Sequence, residues 1–142
     1  MPTVSQLLNH KGRVIHSIAP DAPVLEAIRL MADHRIGALL VMQGEQLIGV
    51  VSERDYARKV ILKGHSSNEV PVRQIMSVPV LTVRADQSVH ECMHIMTENR
   101  IRHLPVVDAN GVIGVISIGD LVRAVLEEQQ RTIADLEHYI HS

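Results

Sequence analysis

The chain has 142 residues, 46% of them hydrophobic and 21% charged, which is enough apolar material for one core or two small ones and excludes a disordered chain. A formal net charge of -2 leaves no basic field, and with no Trp, no Phe and only Tyr56 and Tyr139 there are no base-stacking platforms, so nucleic acid is excluded as the first expectation. Apolar runs such as Ala38–Met42 are too short to cross a bilayer and no basic-then-apolar leader opens the chain, which predicts a cytoplasmic protein without a membrane partner.

In chain order, a short lead-in at Ser5-Gln6-Leu7-Leu8 precedes an apolar strand, Arg13–Ile18. A helix is expected next, with Asp21 as candidate N-cap and Val24, Ala27, Ile28 and Met31 on one face. Two strands follow, Ala38–Met42 and Gln46–Val51, joined through Gln43-Gly44-Glu45. A second helix spans Glu53–Lys63 and stops at Gly64. The polar stretch Gly64–Val70 reads as a linker, and Arg73-Gln74-Ile75-Met76 as a second lead-in.

The same order then returns. Val78–Val83 reads as a strand, Asp86 as the cap of a helix carrying Val89, Cys92, Met93 and Met96, then Leu104–Val107 and Val112–Ile116 as a hairpin, and Gly119 to about Glu128 as a helix. An offset of 65 residues carries Asp21, Met31, Arg35, Leu39, Gly49, Ser52 and Asp55 onto Asp86, Met96, Arg100, Leu104, Gly114, Ser117 and Asp120 without a gap. The fold class is therefore α/β (α+β), two β-α-β-β-α repeats, each a small mixed sheet with helices on one face, packed together. Expected segments are 1–68 for the first repeat with its lead-in and 69–128 for the second. Residues 129–142 are expected as an amphipathic helix with Ile133, Leu136 and Ile140 on one face, suited to a second subunit.

The chemistry-bearing residues concentrate where GVVSERD, Gly49–Asp55, recurs as GVISIGD, Gly114–Asp120. Serine followed three residues later by aspartate at a helix start is close to a capping box. The same geometry offers backbone N–H groups to a phosphate and a carboxylate to the vicinal hydroxyls of a ribose. Gly49 and Gly114, inside β-branched strands, mark a bulge or a close approach of backbone or ligand. Spacing alone leaves capping and ligand binding both open. The pairs His90/His94 and His138/His141 lack a third ligand nearby, and Cys92 sits at core spacing, so no metal site is assigned. Without a nucleophile elbow, a Walker loop or a dinucleotide fingerprint, no enzyme activity is expected.

The duplicated order, the Gly-hydrophobic-hydrophobic-Ser-x-x-Asp strand ends and the run HLPVVD, His103–Asp108, resemble a tandem pair of cystathionine β-synthase (CBS) domains, also called a Bateman module. The segment ERDYARKV is similar to that of small bacterial members made of the pair alone. The resemblance implies a regulatory module that binds an adenosine ligand (AMP, ADP, ATP, NAD or S-adenosylmethionine) in clefts between the repeats. It further implies a homodimer and an effector protein that the sequence does not identify. The resemblance assigns Asp55 and Asp120 to the ribose, Ser52 and Ser117 beside them, and Arg102 and His103 to phosphates. In the first copy Gly37 and Ala38 replace that basic pair, Leu40 stands where Pro105 does, and Glu53-Arg54 stand where Ile118-Gly119 do, so the two sites are expected to be unequal, with Arg54 a phosphate contact or a solvated cation. The alternative reading is a dimeric interaction scaffold whose serines and aspartates only cap helices.

Overall fold

The computed structural model describes residues 2–141. Met1 and Ser142, the outermost residues of the expected first and last segments, lie outside the described residues. Helix α1 covers Val4–Lys11, strand β1 Ser17–Ile18, α2 Val24–His34, β2 Ala38–Gln43, β3 Gln46–Ser52 and α3 Glu53–Tyr56. Then come α4, Val89–Asn99, β4, His103–Asp108, β5, Gly111–Ser117, and α5, Ile118–His141. The chain forms two compact units: Ile15–Leu81 is one, and the segment ending at Val14 joins the chain from Thr82 onward in the other. These units divide the chain differently from the segments expected from sequence order, because α1 packs with the second repeat and the second lead-in packs with the first.

In the unit Ile15–Leu81, β1 runs parallel to β2, and β2 is antiparallel to β3, giving the order β1-β2-β3. The core is Ile18, Val24, Ala27, Met31, Leu39, Val41, Val51 and Val60, closed by Val70 at the end of the linker and by Val72 and Ile75 at the second lead-in. That lead-in is a single 3-10 turn, Val72–Gln74. In the other unit β4 and β5 form an antiparallel pair, and Val4, Leu7 and Leu8 of α1 complete a core of Val89, Cys92, Met96, Leu104, Val106, Ile116 and Leu121. Side-chain burial removes apolar surface from water in each unit separately, so each lead-in supplies what its small sheet lacks. Cys92 is part of that packing; burial, then the neighbouring Glu91 charge, push its thiol up to about 11, leaving it an inert space-filler.

Several expected elements are shorter or start elsewhere. The first strand is Ser17–Ile18 rather than Arg13–Ile18, and its counterpart Val78–Val83 contracts to one parallel bridge, Val83 with Val106. The cause is Pro105. In the first copy the Leu40 N–H donates to the His16 carbonyl at 3.2 Å, whereas proline at the matching position has no N–H to give. Only the Val83 N–H to Pro105 O (3.0 Å) and Val107 N–H to Val83 O (2.9 Å) bonds remain. Pro105→Leu should extend the parallel pairing by one residue; hydrogen exchange then finds a slowly exchanging amide at position 105, and rapid exchange there would refute the explanation.

The helix starts also shift. Neither Asp21 nor Asp86 caps: Pro23 occupies the N-cap of α2 with no side-chain bond, and Ser88 caps α4 by accepting from the Glu91 N–H. Asp21 instead pairs with Arg73, and Asp86 with Arg84 at 3.4 Å. Arg35 and Arg100 end their helices at φ 55 and 54, the left-handed conformation usual after a last helical turn, and the following N–H groups of Ile36 and Ile101 reach back to Met31 and Met96 carbonyls at 3.0 Å. The expected helix Glu53–Lys63 is one α-turn followed by a π-helical segment, Ala57–Ile61, where the Leu62 N–H reaches the Ala57 carbonyl at 3.1 Å. Its counterpart has no such break, and the helix expected from 129 onward is simply the continuation of α5. Among the described residues no helix is long and apolar enough to cross a membrane.

Candidate functional site

Each Ser-x-x-Asp sits where the last strand of its sheet becomes a helix. In the first copy Ala38 on β2 lies opposite Ser52 on β3, and the Gly37 carbonyl accepts from the Glu53 N–H at 3.0 Å. In the second, His103 lies opposite Ser117, and the Arg102 carbonyl accepts from the Ile118 N–H at 2.8 Å. One helix N–H is thus already satisfied by the neighbouring strand in both copies. The Asp55 N–H donates to Ser52 Oγ (3.2 Å), and the Ser52 N–H to Asp55 Oδ2 (2.9 Å). Asp120 and Ser117 repeat both bonds at 3.2 and 2.8 Å. The capping reading is therefore a structural fact in both copies.

The glycines preceding these turns have a packing explanation. Ile48 and Ile113 are the extra residues of bulges next to Gly49 and Gly114. A Cβ on Gly49 would stand 2.6 Å from Met76 Sδ, and one on Gly114 would stand 2.7 Å from Leu8 Cδ2. The close approach is made by the lead-in residues, which seat on the bare backbone.

Around the carboxylates the two copies diverge. Asp55 is 7% exposed, and besides Ser52 it receives Ser77 Oγ at 3.3 Å and Lys59 Nζ at 3.1 Å; the same ammonium donates to the Ile75 carbonyl at 2.9 Å. Asp120 is held by Lys11 Nζ at 2.5 Å, and Lys11 also donates to the Val115 carbonyl at 2.7 Å. Both the Lys11 and the Ser117 backbone bonds fall on Oδ2. Burial pushes the Asp120 carboxyl up, but the Lys11 and Ser117 bonds outweigh it and hold the group below the usual carboxylate range. Its contribution to stability is thus fully present above the ordinary carboxylate value and is lost as pH falls through the lower folded one.

His103, half-buried, joins this cluster. Burial, then the Lys11 and Arg102 charges, lower its basicity, while Asp120 pulls it back up. The folded state therefore favours neutral imidazole, the unfolded chain takes up a proton near pH 6.5, and stability falls as pH drops below that value. His103→Ala, which installs the residue found at position 38, should lose less melting temperature than the parent between pH 7 and 5; equal losses would remove His103 from the cluster's titration.

The structure thus brings Ser117, Asp120 and His103 together with Lys11, and Ser52, Asp55, Gly37 and Ala38 together with Lys59 and Ser77. Arg54 and Arg102 are exposed, and Pro105 is buried in the strand ladder opposite Val115. The sequence reading missed Lys11, Lys59 and Ser77. Lys59 was readable as the i+4 partner of Asp55; Lys11 is 109 residues from Asp120 and carried no local signal. Of the histidine pairs, His94 meets Glu98 at 2.9 Å and His90 lies 3.8 Å from Glu128. Among the described residues no group of three or more His, Cys, Asp or Glu could hold a metal ion.

A duplicated unit in which a Ser-x-x-Asp turn carries the last strand into a helix, with Asp55 buried and Asp120 partly buried, defines a repeat pair. The CBS domain sequence model matches residues 7–62 and again 72–127, and the chain belongs to the CBS domain family. It is 40% identical over 147 aligned residues to the CBS domain-containing protein CBSX3, mitochondrial, of Arabidopsis thaliana, covering 97% of this chain and 71% of that one. A putative signal-transduction protein with CBS domains from Burkholderia ambifaria is 49% identical, with a TM-score of 0.87 over 90% of this chain and 96% of that one. The CBS domain protein PAE2072 from Pyrobaculum aerophilum, solved in complex with AMP, is 31% identical, with a TM-score of 0.77 over 89% of this chain and 97% of its own.

Proposed function

We propose that this chain is a ligand-sensing regulatory module that binds an adenosine nucleotide through its Ser-x-x-Asp turns, with Asp120 the dominant site. The observation that carries this reading is the cluster of nitrogen-bearing side chains at the second turn. Lys11 and His103 stand at Asp120, with Arg102 exposed beside them, where the first turn has Gly37 and Ala38. Ser117 and Lys11 hold Oδ2 of Asp120, leaving Oδ1 as the acceptor assigned to a ribose hydroxyl, while the Lys11 and Arg102 cations suit phosphate. AMP bound to PAE2072 supports adenosine as the ligand class.

At the first turn Asp55 is occupied by Ser52, Ser77 and Lys59, so a ligand there must displace an internal bond, and weaker binding is expected. No catalytic role is assigned. The output passes to an effector protein or through self-association, and its size is limited by the ligand's differential affinity for the two states.

Thermal melts with AMP, ADP, ATP, NAD and S-adenosylmethionine in turn test the reading. A ligand at about one hundred times its Kd adds roughly 2.7 kcal/mol, several degrees for a chain of this length. If no member of the panel moves the melt at millimolar concentration, the scaffold reading takes its place.

A further inference from the structure

His16 and His34 stack on each other in the unit Ile15–Leu81, with ring centroids 3.9 Å apart and planes 26° from parallel. His34 is exposed and is the last residue of α2. His16 is half-buried and directly precedes β1, and its carbonyl accepts from the Leu40 N–H of β2 at 3.2 Å. The residue that carries one ring therefore also ties the two-residue strand Ser17–Ile18 to its sheet. The fold itself does not demand the pair. In the other copy the repeat offset sets Leu81 and Asn99 at these positions, and Asn99 gives its amide to the Ile95 carbonyl at 2.8 Å.

Neutral rings at this separation attract, and a ring that has gained one proton still stacks on a neutral one. Two imidazolium charges about 4 Å apart repel. The neighbouring elements do not offset that repulsion. Strand β2 has no titratable side chain from Ala38 to Gln43, α2 sets Asp33 before His34 but Arg35 after it, with Glu26 and Arg29 earlier in the helix, and Asp21, the acid following β1, is paired with Arg73. Burial, then the His34 charge, hold His16 below the ordinary histidine range. The stacked form thus binds fewer protons than the open one, so its stability is fully present above about pH 6.5 and is lost as pH falls through the lower folded value. We propose that His16 and His34 form a proton-sensitive clasp on β1, closed at neutral pH and released when both rings are protonated. The clasp gives the module an input separate from the nucleotide, and its test requires no ligand.

In NMR titrations of the full chain the two imidazoles should protonate in two steps separated by at least about one pH unit. In His34→Asn, a change at an exposed position outside the core, His16 should titrate in a single step at higher pH than in the parent. Hydrogen exchange, corrected for its intrinsic pH dependence, reads the strand itself. The Leu40 amide should lose at least about tenfold of its protection between pH 7 and pH 5 in the parent, and no more than about twofold in His34→Asn. Since His103 is present in both proteins, its titration cancels from the comparison. Single-step, independent titration of both rings in the parent, or equal losses of Leu40 protection in parent and variant, would overturn the proposal.

Discussion

Asp120→Ala is expected to weaken AMP binding by about 30- to 1,000-fold while the apo protein stays folded. The first figure follows from losing one or two charge-assisted hydrogen bonds to ribose hydroxyls, about 2–4 kcal/mol together. The second follows from what remains: Ser117 Oγ still accepts from the residue-120 N–H, and Lys11 keeps the Val115 carbonyl at 2.7 Å. The reciprocal half of the capping box and the Lys11 ion pair are lost, together about 1–2 kcal/mol and several degrees of melting temperature. Asp55→Ala should behave in the opposite sense, because Asp55 is 7% exposed and gathers Ser52, Ser77 and Lys59. Its loss strands several polar groups at once, costs more stability than Asp120→Ala, and changes AMP affinity less. Calorimetric titration and melting of both variants measure the two effects side by side; equal affinity losses would contradict the unequal sites.

The largest stability effect is expected at Leu8→Ala. Leu8 is fully buried, belongs to α1, and with Val4 and Leu7 closes a core whose remaining members come from residue 83 onward. Truncation leaves a cavity that the short β4–β5 pair has few neighbours to fill, costing about 2–5 kcal/mol, roughly 6 to 20 °C. Gly114→Ala should cost about 1–3 kcal/mol by forcing a Cβ to within 2.7 Å of Leu8 Cδ2. Because both changes act on one contact, the double variant should be more stable than the sum of the singles predicts. Chemical denaturation of the four proteins checks this, and simple additivity would mean that Gly114 is not the seat of Leu8.

Much of this architecture was legible because duplication prints the same apolar spacing twice. The hairpins Ala38–Ser52 and His103–Ser117 were legible from alternation and turn residues, and α2 and α4 from their 3.6-residue faces. Ser52, Asp55, Ser117 and Asp120 were visible as a repeated motif, although spacing could not separate capping from binding, since the same atoms serve both.

The misses have separate causes. A proline inside β4 removed a bond to a strand some twenty residues earlier, an effect that local alternation does not carry. Asp21 and Asp86 resemble caps by type, but the chain turns into its helices two residues later. The exchange of lead-ins was hidden because Leu8 and Met76, which seat on Gly114 and Gly49, are related by 68 residues rather than the 65 of the main repeat. Lys11 reaches Asp120 only as a consequence of that exchange, so the cation that most distinguishes the second site belonged to no motif.

The central claim is that the cluster of Lys11, His103 and Asp120 makes this chain an adenosine-nucleotide sensor with one dominant site. Isothermal titration of AMP into the intact protein tests it most directly. The expected result is saturable binding with a dominant site of about one AMP per chain that disappears in Asp120→Ala and persists in Asp55→Ala. Saturable binding of equal strength in all three proteins, or no saturable heat up to millimolar AMP in the parent, would contradict it.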